Sequence, residues 1–230
     1  MIVREIIPGS SSVELDPRTA DISEAAHWYP KTFGIRSNYV IDPTGHSGSN
    51  SNSSSSEIDR YFLRVIRSNS DLIITTGRTA RAEKLRASRF APLAIITSKP
   101  NDLNIPATAD ESAKVVFVCS PEEPETKYSN TMVKWLKISN APIAQVVQEI
   151  RKELNSDYTL LESGIKSLKQ MAPSKLLDEI CLTVTHATTR EFATTKAEEF
   201  VESLGVVSQL IQLLYSEDTW FFRFKVSPEN

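Results

Sequence analysis

The segment Asp71–Glu83 reads DLIITTGRTARAE. A short continuous apolar run, as expected of a strand covered on both faces, leads into Thr75-Thr76-Gly77-Arg78-Thr79 and then into a short helix. Hydroxyls, a glycine and exposed amides at the carboxyl end of a parallel strand are groups that a phosphate or pyrophosphate can use, and Arg78 and Arg81 add positive charge. Ordinary strand-to-helix capping has the same look, because threonine is a good N-cap. A second junction lies in Tyr158–Leu168, YTLLESGIKSL. Its apolar strand ends in Glu162-Ser163-Gly164 and a helix begins at once at Ile165. Gly164 permits close backbone approach, and the helix start presents free N–H groups and a partial positive charge. Two junctions of this kind can hold the two ends of one dinucleotide; two unrelated strand-to-helix connections would read the same way. Thr97-Ser98-Lys99 follows a third buried strand. Hydroxyls plus a lysine suit a ribose 2′-phosphate and would favour NADPH over NADH, although serine and lysine are commonplace after a strand.

Other chemistries leave no trace. His27, His46 and His186 are scattered, and no H-E-x-x-H or G-x-S-x-G occurs. The H-x-E plus P-C-x-x-C set of a base deaminase is absent. So are G-x-G-x-x-G and the G-x-x-x-x-G-K-[ST] phosphate loop. The two cysteines, Cys119 and Cys181, are far apart, which argues against a disulfide framework or a zinc site, and no metal is expected.

These junctions need strands and helices to position them. The pattern predicts strands at Ile35–Ile41, Asp71–Thr75, Leu93–Thr97, Val115–Cys119, Val133–Ile138 and Tyr158–Glu162. It predicts helices at Glu57–Arg67, where Ser56 can cap and Ile58, Tyr61, Phe62, Val65 and Ile66 form one apolar stripe, at Pro142–Leu154 and at Ile165–Met171. Strands at Glu179–Val184, Val206–Leu214 and Trp220–Val226 make the last third β-rich, with an antiparallel hairpin through Ser216-Glu217-Asp218. Alternating strands and helices in the middle imply a mostly parallel sheet covered by helices. Residues 1–25 read as a polar N-terminal extension with one short helix near Ser23–Trp28, and residues 26–230 as a single domain. Gly45 to Ser56 (GHSGSNSNSSSS) is a low-complexity tract with no apolar anchor.

The chain has 230 residues, 26 Lys+Arg against 29 Asp+Glu and a net charge of −3. This is ordinary globular composition, and the slight acidity gives no reason to expect nucleic acid or an anionic membrane as partner. Glycine is scarce at 7 residues, which speaks against folds built on glycine-rich phosphate loops. Charges at Arg4 and Glu5 interrupt the N-terminus, and no run approaches a membrane span. Two thiols without a signal peptide suit a reducing cytoplasm.

Read in order, these segments resemble the reductase domain of the deaminase-reductases of riboflavin biosynthesis. That domain has a dihydrofolate-reductase-like α/β fold, with helices on both faces of a mostly parallel sheet and an antiparallel C-terminal hairpin. The look is nearest to the stand-alone reductase-like proteins of actinobacteria. Gly34-Ile35-Arg36-Ser37-Asn38-Tyr39-Val40 is similar to the family's W-x-R-x-N-x-V strand. Asp59, Arg67 and Asp71 match its D-R helix, the following arginine and the next strand's first aspartate. Thr79, Arg81 and Glu83 match T-x-R-x-E. Glu162-Ser163-Gly164 stands for E-G-G or E-A-G. Leu177–Val184 looks like L-V-D-E-L-x-L-T-V, and Ser216–Phe224 looks like the closing hairpin. The match spans about Trp28 to Val226.

The resemblance implies NADPH-dependent reduction of the ribose of a phosphoribosylamino-pyrimidine to a ribityl chain. It implies cofactor contacts at Thr75, Thr76, Thr79, Arg81, Thr97, Ser98, Glu162, Ser163, Gly164 and Ile165, substrate contacts at Asn38, Thr44, Gly45 and Asp59, and a homodimer to which the aromatic strand Trp220–Phe224 could contribute. Core packing is the other reading of those aromatics. The family's substrate strand carries S-L-D-G, and aligned without a gap its aspartate falls on Thr44, whose hydroxyl is neither acid nor base near pH 7. Asp42 and Thr44 are the candidate catalytic positions. Two further readings are a pterin- or folate-like substrate on the same fold, and a diverged relative that binds cofactor without turnover.

Overall fold

A computed structural model describes residues 1–9, 11–45, 56–105, 110–125, 128 and 132–227. The expected Ser/Asn tract lies almost entirely outside them. In chain order the elements are β1 (Ile2–Ile7), β2 (Ser12–Glu14), β3 (Gly34–Ile41), α1 (Glu57–Ser68), β4 (Leu72–Thr76), α2 (Gly77–Glu83), β5 (Leu93–Ile96), β6 (Val116–Ser120) and β7 (Val133–Lys137). There follow α3 (Ile143–Glu153), β8 (Tyr158–Glu162), α4 (Ile165–Met171), β9 (Leu177–Val184), α5 (Arg190–Glu202), β10 (Val207–Ser216) and β11 (Thr219–Ser227). One sheet runs β2-β1-β10-β11-β9-β3-β8-β4-β5-β6-β7. From β9 to β7 all neighbours are parallel. From β2 to β9 they are antiparallel. This is the mixed sheet with a C-terminal hairpin that the sequence implies.

Two apolar layers flank the sheet. One takes Val146, Val147 and Ile150 of α3, Leu168 and Met171 of α4, and Ala193 and Ala197 of α5. The other takes Ile58, Tyr61, Phe62, Val65 and Ile66 of α1 and Ala80 of α2. In α1 the stripe recurs at helical spacing, the Ser56 hydroxyl accepts the Asp59 amide, and Glu57 and Asp59 sit in the first turn, where negative charge is favourable.

Two expectations are corrected. Residues 1–25 are not a separate extension: β1 pairs with β10, β2 pairs with β1, and Val3 is fully buried. The expected single helix near Ser23–Trp28 is a pair of short 3-10 turns. The β-rich last third also holds a helix that the pattern does not predict, α5, which packs through Ala193, Ala197, Phe200 and Val201. Small alanines and interspersed threonines leave too thin a stripe for periodicity to reveal. The aromatics of β11 are core, with Trp220, Phe222 and Phe224 in one layer and Phe221 in the other. Phe221 meets Phe62 edge-on at 4.7 Å between ring centres.

A buried ion network closes the layer beneath α1. Glu179 of β9 accepts from Arg223 Nε at 3.1 Å and Nη2 at 2.9 Å. Arg36 Nε lies 2.6 Å from Glu179 Oε1, off the line of its N–H, so that contact is ionic rather than a directed hydrogen bond. Arg36 Nη2 donates to Pro30 O, and Arg223 Nη1 donates to Trp28 O. Burial alone would raise the Glu179 carboxyl, but the hydrogen bonds of Arg223 and the charges of both arginines outweigh it and hold the group below the usual range.

Both thiols are buried and free. Burial pushes Cys119 up to about 12, and burial with the Glu179 charge pushes Cys181 higher still. Iodoacetamide at pH 8 is therefore expected to leave both intact in the native protein and to modify both in guanidinium; rapid native labelling of either would contradict this packing. Among the described residues no helix is long and apolar enough to cross a membrane, and no cluster of His, Cys, Asp and Glu could hold a metal ion.

Candidate functional site

The parallel strands deliver their carboxyl ends to one edge, and the two chemistry-bearing junctions meet there. β8 and β4 are neighbours, with Thr75 directly opposite Glu162. The Thr75 hydroxyl donates to Glu162 O at 2.5 Å. From these adjacent ends the chain leaves in opposite directions: α2 packs into one layer through Ala80, and α4 into the other through Leu168 and Met171. Adjacent strands whose helices part to opposite faces leave a crevice between them, the place where open α/β sheets bind ligands.

Helix starts form both walls. Thr76 caps α2, its hydroxyl accepting the Thr79 amide at 3.3 Å and lying 3.1 Å from the Thr79 hydroxyl. A Cβ on Gly77 would sit 2.6 Å from the Thr97 hydroxyl, so the α2 start and the β5 end are pressed together and only glycine fits. The same Cβ would be 3.1 Å from Arg81 Nη1, which places that guanidinium at the mouth of the turn. The Thr97 hydroxyl is occupied by the Lys99 amide at 3.0 Å, while the Ser98 side chain is exposed. On the other wall Gly164 caps α4 without a side chain, and its carbonyl accepts from Ser167 and Leu168. Helix geometry leaves the Ile165 and Lys166 amides with no intrahelical partner. A Cβ on Gly164 would meet nothing within 4 Å. Beside it the Ser163 hydroxyl is buried with no hydrogen-bond partner among the described residues. A buried orphan hydroxyl beside open amides is the donor pattern of a ligand site.

Glu162 is paired within the protein. Its carboxylate does not face the crevice unpaired: Arg67 of α1 grips it with Nε at 2.7 Å and Nη2 at 2.5 Å. Burial alone would lower Arg67, but the Glu162 charge and hydrogen bonds outweigh it and hold the guanidinium above its usual value. Arg78, Arg81 and Lys99 are exposed and make no ion pair among the described residues.

The expected substrate side lies on the next strands, β3 and β9. Asn38 is half-buried in β3, opposite Cys181. Asp59 of α1 is buried and accepts the Thr183 hydroxyl of β9 at 2.7 Å. Asp42 and Thr44 hold each other: Asp42 Oδ1 accepts the Thr44 amide at 2.8 Å and its hydroxyl at 2.6 Å, and the Gly45 amide bonds to Asp42 O. Local residue patterns did not reveal the Asp59–Thr183 or Arg67–Glu162 pairs. The one available signal was Glu179 and Thr183, polar residues on the same face of β9 as buried Cys181. Two surface hollows are seen: one of about 350 Å³ around Arg151 and Asp157, at the amino end of β8, and one of about 170 Å³ lined by Arg67, Leu85, Arg86 and Ser88. The Ser163 hydroxyl and the amides at the α4 start line neither, so the crevice is the better candidate.

No family model matches the chain, and no curated protein matches it. Solved structures do. The riboflavin biosynthesis reductase of Saccharomyces cerevisiae matches with a TM-score of 0.60 at 13% identity, over 90% of this chain and 100% of its own. A pyrimidine reductase-like protein from Corynebacterium diphtheriae matches at 0.60 and 15% identity, over 92% and 96%. The diaminohydroxyphosphoribosylaminopyrimidine deaminase/5-amino-6-(5-phosphoribosylamino)uracil reductase of Thermotoga maritima matches at 0.62 and 13% identity, over 89% of this chain and 59% of that one. At such identities the likeness establishes the fold: the chain folds as the pyrimidine reductases of riboflavin biosynthesis do.

Proposed function

We propose that the protein is an NADPH-dependent reductase that acts on the ribose of a phosphoribosylamino-pyrimidine. The observation that carries this reading is the crevice between β4 and β8, with the buried unpartnered Ser163 hydroxyl and the uncapped start of α4 on one side and the Thr76-capped start of α2 on the other. The donor set fits an anionic dinucleotide. Ser163 and the Ile165 and Lys166 amides would hold the pyrophosphate; Arg78, Arg81, Ser98 and Lys99 would take the adenosine end with its 2′-phosphate. When bound, reduced nicotinamide supplies the hydride, and the chain supplies position and charge.

On the substrate side the residues divide the work. Asn38 orients the pyrimidine by hydrogen bonds. Asp59, buried and tied to Thr183, is the carboxylate best placed to hold a proton or anchor the substrate in a dry environment, a role that exposed Thr44 cannot fill. Asp42, committed to the turn with Thr44, shapes the entrance. The two buried thiols agree with a reducing cytoplasm, and the family resemblance suggests a homodimer.

The test is oxidation of NADPH dependent on 5-amino-6-(5-phosphoribosylamino)uracil. Asp59→Asn is expected to cut kcat by about 100-fold or more while leaving NADPH affinity within about threefold. NADPH binding without turnover would instead support the diverged, cofactor-binding reading, which the Thr44 replacement favours. No NADPH binding at all would end both.

A further inference from the structure

This inference rests on the crevice being the cofactor site, and it concerns the carboxylate that β8 brings to that entrance. Glu162 is the last residue of β8, two residues before Gly164. Two residues of extended chain separate their backbones by about 7 Å; a carboxylate left bare within that reach of a bound phosphate would, at an effective dielectric near 20, oppose it strongly enough to weaken binding by more than about tenfold. Arg67 lies 95 residues earlier in the chain, in the last turn of α1. It is delivered by a helix whose apolar stripe is packed into the core, and it meets the carboxylate with two parallel hydrogen bonds. The backbone of Glu162 is anchored separately, by the Thr75 hydroxyl. The side-chain pair therefore does something the backbone anchor does not. Among the described residues Arg78, Arg81 and Lys99 make no ion pair, whereas the charge of Glu162 is cancelled from within the protein.

We propose that Arg67 is a positioning residue that makes the crevice receptive to an anionic dinucleotide, by turning the Glu162 carboxylate away from the phosphates and neutralising it in a bidentate ion pair. The proposal separates charge from scaffolding. A strut would fail when either partner is removed; a charge shield fails only when the arginine is removed.

The experiment measures NADPH dissociation constants for wild type, Arg67→Gln, Glu162→Gln and the double variant, each at about 50 mM and about 500 mM salt. Arg67→Gln is expected to weaken NADPH about tenfold or more at low salt, with the loss shrinking at high salt. Glu162→Gln should bind at least as well as wild type, and the double variant should return to within about threefold of Glu162→Gln. Arg67→Lys, which keeps the charge and loses the fork, should stay near wild type. If Arg67→Gln is too unstable to assay, the double variant decides, because it removes both members of the Arg67–Glu162 pair: binding about tenfold weaker than wild type overturns the proposal. Equal losses in both single variants without recovery in the double, or wild-type affinity in Arg67→Gln, also overturn it. Wild-type protein that does not bind NADPH overturns the cofactor reading, and this inference with it.

Discussion

Replacing Gly164 with valine weakens NADPH binding by about tenfold or more, equivalent to roughly 1.4 kcal/mol, while the protein stays folded. The backbone at 164 is extended, with φ −63° and ψ 162°, so valine fits it without strain. The added side chain would enter open space, since a Cβ there meets nothing within 4 Å. The Cβ itself displaces nothing, and the poorer N-cap costs about 1 kcal/mol. The space that valine would fill is the space proposed for the pyrophosphate, against the Ile165 and Lys166 amides. Fluorescence titration with NADPH, beside a thermal melt, separates the two effects. Unchanged affinity with an unchanged melt would place the cofactor elsewhere. Gly77 offers no such test, because any side chain there collides with Thr97.

Glu179→Gln is expected to destabilise the fold by about 3–5 kcal/mol, because removing one partner leaves buried charge uncompensated. Its side chain and those of Arg36 and Arg223 are each under 10% exposed. Losing the carboxylate strands two guanidinium charges that have no other acid beside them among the described ion pairs. Against a total stability of about 5–15 kcal/mol the loss is large. It reads out as a lower denaturation midpoint with an unchanged slope. The pH dependence has a definite sign. Because the folded-state Glu179 carboxyl is held below the usual range, its contribution is complete above about 4.3, the ordinary value of an unfolded glutamate. That contribution is lost as pH falls through the lowered folded value. The acid limb of the stability curve should therefore be steeper in wild type than in Glu179→Gln. Near-identical midpoints at neutral pH would mean that the network is solvated and the packing described for it is wrong.

How much of the fold and the site was legible in the sequence follows from the range of each interaction. β8 and α4 were readable to the residue, because a short apolar run, a small-residue break and a fresh helical stripe are local signals. The Thr75–Thr79 and Glu162–Ile165 junctions were readable for the same reason. That they face each other was not: Thr75 and Glu162 are 87 residues apart, and strand order depends on nonlocal packing that no local pattern records. The Arg67–Glu162 and Asp59–Thr183 pairs were hidden for that reason too, at separations of 95 and 124 residues. β1 was lost because its sequence, IVREII, does not alternate apolar with polar, and its ladder to β10 shifts register between Glu5 and Ile7. α5 was lost because alanine makes a tight helix contact with little hydrophobic signal.

The central claim is that one cofactor bridges the α2 and α4 starts, and amide hydrogen exchange with and without NADPH tests it most directly. Saturating cofactor should slow exchange at residues 77–79 and at residues 164–166 in the same titration, with one common midpoint. Protection confined to one of these segments, or found only elsewhere on the sheet, would contradict it.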